Sequence, residues 1–273
     1  MPVSPNEQIK MIKSAGFDAF FAEWSEKGCL DEVAATAADV GLIFQSIHAP
    51  FSKSADIWHG DEAAANIAVE ELLTCMEDCK KLRVPIMIVH AFIGFDRHEP
   101  TAEGIARYSR IVEAAEKCGV KIAFENTEGE EYLDALMQAF SNSPSVGFCW
   151  DTGHEMCYNR HRDMPASYGE RLLATHINDN LGISRFDGEI FWTDDLHLLP
   201  FDGICDWDGV AQRLDKYGFN GIMTFELTTA SKPNRHENDK YSALAPQEYF
   251  AEAYARACRL ASKRRVNMAN FGK

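Results

Sequence analysis

Ser145-Val146-Gly147-Phe148-Cys149-Trp150-Asp151-Thr152-Gly153-His154 is a short apolar run that stops abruptly on a carboxylate. Val, Phe and Trp over about five residues favour a strand, and Gly153 permits a sharp exit from a sheet. The stretch reads as a strand delivering Asp151 and His154 to one rim. The same residues would equally suit a strand leading into a helix, with Asp151 or Thr152 as N-cap and His154 merely exposed. The rest of the chain decides between the two.

On either side the same unit recurs. A helical face over 6–15, carrying Ile9 and Ile12, is stopped by Gly16 before a strand at 17–21. A helix over 31–40, closed by Gly41, precedes a strand at 42–47 that finishes on His48-Ala49-Pro50. A helix over 62–82 leads to a strand at 85–89 ending at His90, and a helix over 101–118, closed by Gly119, leads to a strand at 120–124 ending at Glu125-Asn126. After a helix over 131–140 comes the opening stretch, and residues 166–173 lead into a strand ending His176-Ile177-Asn178-Asp179. A polar and aromatic loop over 181–206 carries Asp194-Asp195-Leu196-His197; a helix over 207–217, a strand over 222–225 ending at Glu226 and a helix over 246–262 follow. Strands alternating with helices predict parallel βα units, and about seven of them fit a (β/α)8 TIM-type barrel better than an open sheet. Neither Gly-x-Gly-x-x-Gly nor Gly-Lys-Thr occurs, so the phosphate loop of the nucleotide-binding open sheets is missing. No repeat or Pro-rich linker divides the 273 residues, which predicts one domain over 1–273.

Composition narrows the partners. A hydrophobic content of 46% is ample for a large core, while no apolar run approaches the roughly 20 residues of a membrane span. The N-terminus lacks the basic and apolar regions of a signal peptide, and the expected compartment is the cytoplasm. The eight cysteines fit that expectation, sitting in apolar segments without a Cys-x-x-Cys pair. A formal charge of −15 repels polyanions, so neither nucleic acid nor a membrane surface is an expected partner.

Six predicted strands end in potential metal ligands: His48, His90, Glu125, Asp151, His176 and Glu226. Asp, Glu and His together fill 51 of 273 positions, too few for six hits from six strand ends by chance. In a closed barrel those ends converge on one mouth. Oxygen and imidazole donors without thiolate suit Mn2+, Mg2+, Co2+ or Zn2+, and two carboxylates could act as bases. A cation that acidifies a hydroxyl, flanked by carboxylates that move a proton, is chemistry for hydroxy-carbonyl compounds.

With these motifs the chain resembles the xylose isomerase-like TIM barrels, in particular the sugar phosphate isomerase/epimerase group, to which endonuclease IV is related. The resemblance rests on Ile47-His48-Ala49-Pro50, Phe124-Glu125-Asn126, Trp150-Asp151-Thr152-Gly153-His154 and His176-Ile177-Asn178-Asp179, and spans nearly the whole chain. It implies one divalent metal, Mn2+ first, held by Glu125, Asp151, His176 and Glu226, with Glu125 and Glu226 doubling as the acid/base pair of a sugar isomerase or epimerase. A small sugar or sugar phosphate would be the substrate, and barrels in the group commonly pair as homo-oligomers. Dehydration of a keto-inositol or a dehydroshikimate-type compound is an alternative. Endonuclease IV implies a second alternative, a phosphodiesterase with three metals, whose nine ligands fall on His48, His90, Glu125, Asp151, His154, His176, Asp195, His197 and Glu226. The acidic charge speaks against it, and so does the Pro200, Gly203 and Asp206-Trp207 pattern after His197. In a one-metal enzyme His48 and His90 would bind substrate, and His154 would ligate or support a ligand. Asp195 and His197, on composition alone a solvent-exposed pair, become site members through the resemblance. Trp58 and Phe92 are expected to cover the mouth, and His59, His98, His161 and His236 to lie on the surface.

The ends depart from the family pattern. Such barrels begin with a strand, whereas only Met1-Pro2-Val3-Ser4-Pro5 precedes the first helix here. The stretch Arg265-Val266-Asn267-Met268-Ala269-Asn270-Phe271-Gly272 is a candidate to close the barrel from the far terminus, as in a circular permutant. A frayed tail beside a seven-strand barrel, or a start that omits the true first strand, are the alternatives.

Overall fold

In the computed structural model, which describes residues 3–265, strand and helix alternate as the sequence pattern requires. Helix α1 (Pro5–Ala15) opens on Ser4, which exchanges hydrogen bonds with Glu7 in a capping box, and ends where Gly16 turns left-handed at φ 116°. Strand β1 (Ala19–Glu23), helix α2 (Leu30–Val40) and strand β2 (Ile43–His48) follow. After the short helix α3 (Ser54–His59) come α4 (Glu62–Leu82), β3 (Ile86–His90), α5 (Ala102–Cys118) and β4 (Lys121–Glu125). Asp61 and Thr101 cap α4 and α5 through their side chains. The chain continues through α6 (Glu130–Ala139), β5 (Val146–Asp151), α7 (Thr152–Cys157), α8 (Met164–Tyr168) and β6 (Leu172–His176). Helices α9 (Trp207–Lys216), α10 (Asp239–Ser242) and α11 (Pro246–Ala261) complete it.

The six strands form one parallel sheet in sequential order, β1 to β6. The sheet curls. Beyond β6, the amide of Ile177 donates to Thr224 O (2.8 Å) and that of Glu226 to Ile177 O (3.2 Å), so residues 222–226 run alongside as a seventh extended segment. From β2, Gln45 Nε2 reaches across to Ile222 O at 3.3 Å, which brings the far edge of the sheet back toward its beginning. The result is an open TIM-type barrel. Among the described residues β1 pairs with β2 alone and nothing stands between β1 and the 222–226 segment, so the barrel is open by one strand. Among the described residues 222–225, predicted as a strand, pairs only through an isolated bridge at Phe225. The candidate closing stretch at 266–272 lies outside the described residues.

Strand alternation sorts the side chains into two layers. Met87, Val89, Ile122, Phe124, Val146, Phe148 and Trp150 face outward into the main core beneath the helices. Ile88, Ala123, Cys149 and Ala174 pack on one another inside the barrel. Because side chains alternate with period two, the residue two positions beyond each member of this inner layer points inward as well. Those residues are His90, Glu125, Asp151 and His176. Every cysteine is free, and no helix of the described residues is long and apolar enough to cross a membrane.

Two expectations are corrected. Trp58 and Phe92 do not cover the mouth. Trp58 is buried against Tyr108 and Tyr132, donating Nε1–H to Ala91 O at 2.7 Å, and Phe92 stacks on Tyr132 with ring centres 4.1 Å apart. Helix α3, too short for periodicity to reveal, turns Trp58 back into the helix layer. His59 is half-buried rather than on the surface, because its Nε2 pairs with Tyr132 Oη at 2.8 Å.

Candidate metal centre

At the carboxyl end of the sheet, Glu125 is the hub. Its Oε1 lies 3.0 Å from His176 Nδ1 and 3.4 Å from His154 Nδ1, and its Oε2 lies 3.4 Å from His48 Nε2 and 3.5 Å from His90 Nε2. Glu226 Oε2, from the seventh segment, reaches the same His176 Nδ1 at 3.2 Å. Asp195 joins from the loop after β6, with Oδ1 2.8 Å from His197 Nε2 and 3.5 Å from His154 Nε2. Lys232 Nζ closes on Asp195 Oδ2 at 3.2 Å.

Asp151 combines both roles read from its stretch. Its Oδ1 caps α7 by accepting the amide of His154 at 2.6 Å, while Oδ2 accepts Asn178 Nδ2 at 2.8 Å. Asn126 locks the same corner, its Oδ1 accepting the Asp151 amide and its Nδ2 donating to Asp151 O. Gly153 is required there: a Cβ would fall 1.9 Å from Asn178 Oδ1. Asn126 and Asn178 stand in the sequence motifs, but nothing in the sequence alone marks them as supports of Asp151. Phe51, which no sequence motif marks, stacks on His90 with ring centres 4.6 Å apart and is partly exposed, so it lies over the histidines. The only sequence signal for Phe51 is its place just after a strand-end histidine.

All nine expected residues come together. Ligand atoms of Glu125, Asp151, His176 and Glu226 lie within 4.8 Å of one another, as do those of His48, His90 and Glu125, and those of His154, Asp195 and His197. The donor chemistry fits divalent cations, since each group mixes imidazole nitrogen with carboxylate oxygen. Glu125 Oε2 is also buried without a hydrogen-bond partner among the described residues, as an oxygen reserved for an ion would be.

In the protein without a cation these groups compensate one another. Burial pushes the Glu125 carboxyl up, but His176, His154 and His48 outweigh it and hold it well below the usual range. Glu226 is likewise opposed by burial and carried down to about 2 by His176 and His197. Burial opposes the imidazolium forms of His176 and His154, yet Glu125 and Glu226 raise the first and Asp151 and Asp195 the second, both well above the ordinary value. His197 is raised to about 9 against burial by Asp195 and Glu226. Asp151 moves the other way, to about 6, because burial dominates over His154. His90 is lowered, by burial. A cation would replace the protons that now hold these carboxylates together.

The model of the xylose isomerase-like TIM barrel family matches residues 9–266. The chain belongs to that family. Among curated relatives it is 33% identical to the uncharacterized protein y4fM of Sinorhizobium fredii over 147 residues, which cover 52% of this chain and 41% of that protein. It is 31% identical to a probable endonuclease 4 of Nitratidesulfovibrio vulgaris over 152 residues, covering 46% and 52%. The chain thus spans less than two thirds of the first curated relatives it matches. Similar solved structures include D-psicose 3-epimerase of Clostridium cellulolyticum H10 with D-tagatose, at 15% identity, TM-score 0.70 and coverage of 96% of this chain and 94% of that one. The IOLI protein with a zinc atom follows at 19% identity, TM-score 0.69 and coverage of 94% and 92%. At these identities the structural likeness carries the fold.

Proposed function

We propose that this member of the family is a divalent-metal-dependent isomerase or epimerase acting on a sugar or sugar-like hydroxy-carbonyl compound. One observation carries the reading: two carboxylates, Glu125 and Glu226, approach a common imidazole nitrogen from different strands, at 3.0 and 3.2 Å, with Asp151 within ligand reach of the same point. A Mn2+ ion, or Zn2+, Co2+ or Mg2+, held by Glu125, Asp151, His176 and Glu226 would acidify the substrate hydroxyl and stabilise the negative charge that develops as a carbon-bound proton leaves. The protein supplies the rest. One glutamate takes the proton from carbon and the other returns a proton, so carboxylates on opposite sides of the substrate invert the centre. His48 and His90, whose Nε2 atoms meet at 3.2 Å while His48 Nδ1 is held by Ala49 O, would release that contact to bind substrate hydroxyls, and Phe51 excludes water above them. Support for a sugar substrate comes from the epimerase fold likeness. The test is loss of carbon-bound hydrogen in D2O across free and phosphorylated ketoses and keto-inositols, with each of the four cations. Exchange absent from the whole panel sinks the reading.

A second reading, a phosphodiesterase with three metals, is favoured by one specific observation. The three donor groups overlap so as to use all nine of His48, His90, Glu125, Asp151, His154, His176, Asp195, His197 and Glu226. The endonuclease 4 similarity points the same way. Against it stands the charge of −15.

A further inference from the structure

Asp195 differs from the other carboxylates of the centre in what neutralises it. Among the described residues, Glu125 is met by His48, His90, His154 and His176, Asp151 by His154, and Glu226 by His176 and His197, so imidazoles are their only ionic partners. Asp195 has His154 and His197 on Oδ1, at 3.5 and 2.8 Å, and in addition the Lys232 ammonium on Oδ2 at 3.2 Å. The distinction matters to a metal. An imidazolium gives way by shedding its proton, after which the ring nitrogen is itself a ligand. An ammonium has only donors to offer, and its positive charge repels a divalent ion placed on the same carboxylate.

Lys232 is also held where it stands. Its side chain is half-buried, and Nζ lies 5.5 Å from the centre of the Trp192 ring, within reach of a cation–π attraction. Three residues on, the amide of Arg235 donates to Lys232 O at 3.0 Å, and the Arg235 guanidinium is fixed in turn by Asp194 and Glu237, both at 2.9 Å. The ends of the segment 228–238 are tied to the loop that carries Asp195 and His197. The Thr228 amide donates to His197 O at 3.3 Å, and Asn238 Nδ2 donates to Leu196 O and back to Thr228 O, each at 3.0 Å. The lysine backbone therefore moves with the ligand loop, and the ammonium can quit Asp195 only by turning its own side chain.

Resting on the metal-dependent reading above, we propose that Lys232 is a resident cation of the group formed by His154, Asp195 and His197. Its ammonium neutralises Asp195 in place of a divalent ion and closes that group to metal. The group of Glu125, Asp151, His176 and Glu226, which no lysine or arginine of the described residues contacts, takes the ion instead. A chemistry that needs an ion at both groups is thereby shut off with all nine donors still present.

Zn2+ loading of the full-length chain tests this, with metal content measured after gel filtration at neutral pH. Lys232→Met, which nearly keeps the length of the side chain and removes its charge, should bind one equivalent more than wild type. Lys232→Arg, which keeps the charge, should bind no more than wild type, and adding Asp195→Asn to Lys232→Met should abolish the gain. In wild-type crystals soaked in Zn2+, anomalous scattering should place no ion among His154, Asp195 and His197, a readout that a folding defect in a variant does not touch. A wild-type ion there overturns the proposal. So does a Lys232→Met protein that gains nothing while wild type is loaded, a gain shared by Lys232→Arg, or a gain that survives Asp195→Asn. No Zn2+ in any of these proteins ends the metal-dependent reading itself, and this proposal with it.

Discussion

Glu226 and Glu125 share a neighbour in His176 but not an environment: the Glu226 side chain keeps 16% of its exposure, whereas Glu125 is fully buried. A substrate carbon therefore meets Glu226 first, and Glu226→Gln is expected to keep the fold but lower kcat at least 100-fold, since the amide keeps the shape but is neither a base nor an anion, and to lower the thermal midpoint, because the pairing with His176 and His197 is lost. Wild-type turnover in that variant would remove Glu226 from the mechanism. The charge state of the site sets a second expectation. His197, raised to about 9, contributes stability that is complete below its ordinary value of 6.5 and is lost as pH rises through 9; the raised His154 and His176 act in the same direction. Glu226, lowered to about 2, contributes stability present above 4.5 and lost only as pH falls toward 2. The metal-free protein should thus lose thermal stability between pH 7 and 9.5. Over the same range cation affinity, followed by calorimetry, should rise, because the raised His176 imidazolium must shed its proton to ligate. An affinity flat from pH 6 to 9 contradicts this account. At this scale the legible residues were those at strand ends, where an abrupt Asp, Glu or His after an apolar run is visible in the sequence. Asn178 and Lys232 were not, since a support is defined by what it touches across the fold.

The β5–α7 corner is the element on which the site depends, for it joins a strand end, a helix cap and a ligand in one carboxylate. Gly153→Ala should damage all three. The new methyl would meet Asn178 Oδ1 at 1.9 Å, and Asn178 is the group that holds Asp151 Oδ2. Overpacking of this kind costs on the order of 1–3 kcal/mol, and displacing Asn178 frees Asp151 to turn away, so both the thermal midpoint and the cation affinity are expected to fall, the latter about 10-fold or more. Adding Asn178→Ala should relieve the clash and recover stability without recovering affinity. If the double variant binds metal as tightly as wild type, Asn178 has no part in positioning Asp151. The long helices and their stops were readable because α4 and α5 carry side-chain caps and a full apolar periodicity. Helices α3 and α7, of six residues each, carry too few turns for a period to show. The strand at 222–225 was legible as an extended apolar run, but its sparse pairing was not, because pairing belongs to the neighbours.

Across the whole molecule the two functional readings part company on charge and on metal count. A duplex is held by neutralising phosphates and releasing counterions, and a chain with a net charge of −15 has little to offer it. Of the cations near the mouth, Lys232 is engaged by Asp195 and Arg235 by Asp194 and Glu237. The barrel was readable from the alternation of strand and helix, and the family from its motifs, yet neither separates one bound ion from three, since overlapping donor groups share Glu125. Metal analysis does. After dialysis against Mn2+ or Zn2+, the isomerase reading expects about one tightly held equivalent, at the group of Glu125, Asp151, His176 and Glu226. An ion bound only by the folded state raises the thermal midpoint, so chelation should lower it and readdition restore it. Asp195→Asn then discriminates: it lies outside the four-residue group, so a single-metal protein keeps its equivalent, whereas a three-metal protein loses one from the group with His154 and His197. Three equivalents in the wild type, together with nicking of abasic-site duplex at moderate salt, would reverse the order of the two readings; three equivalents without nicking would mean that the nine ligands persist on a surface no longer able to hold DNA.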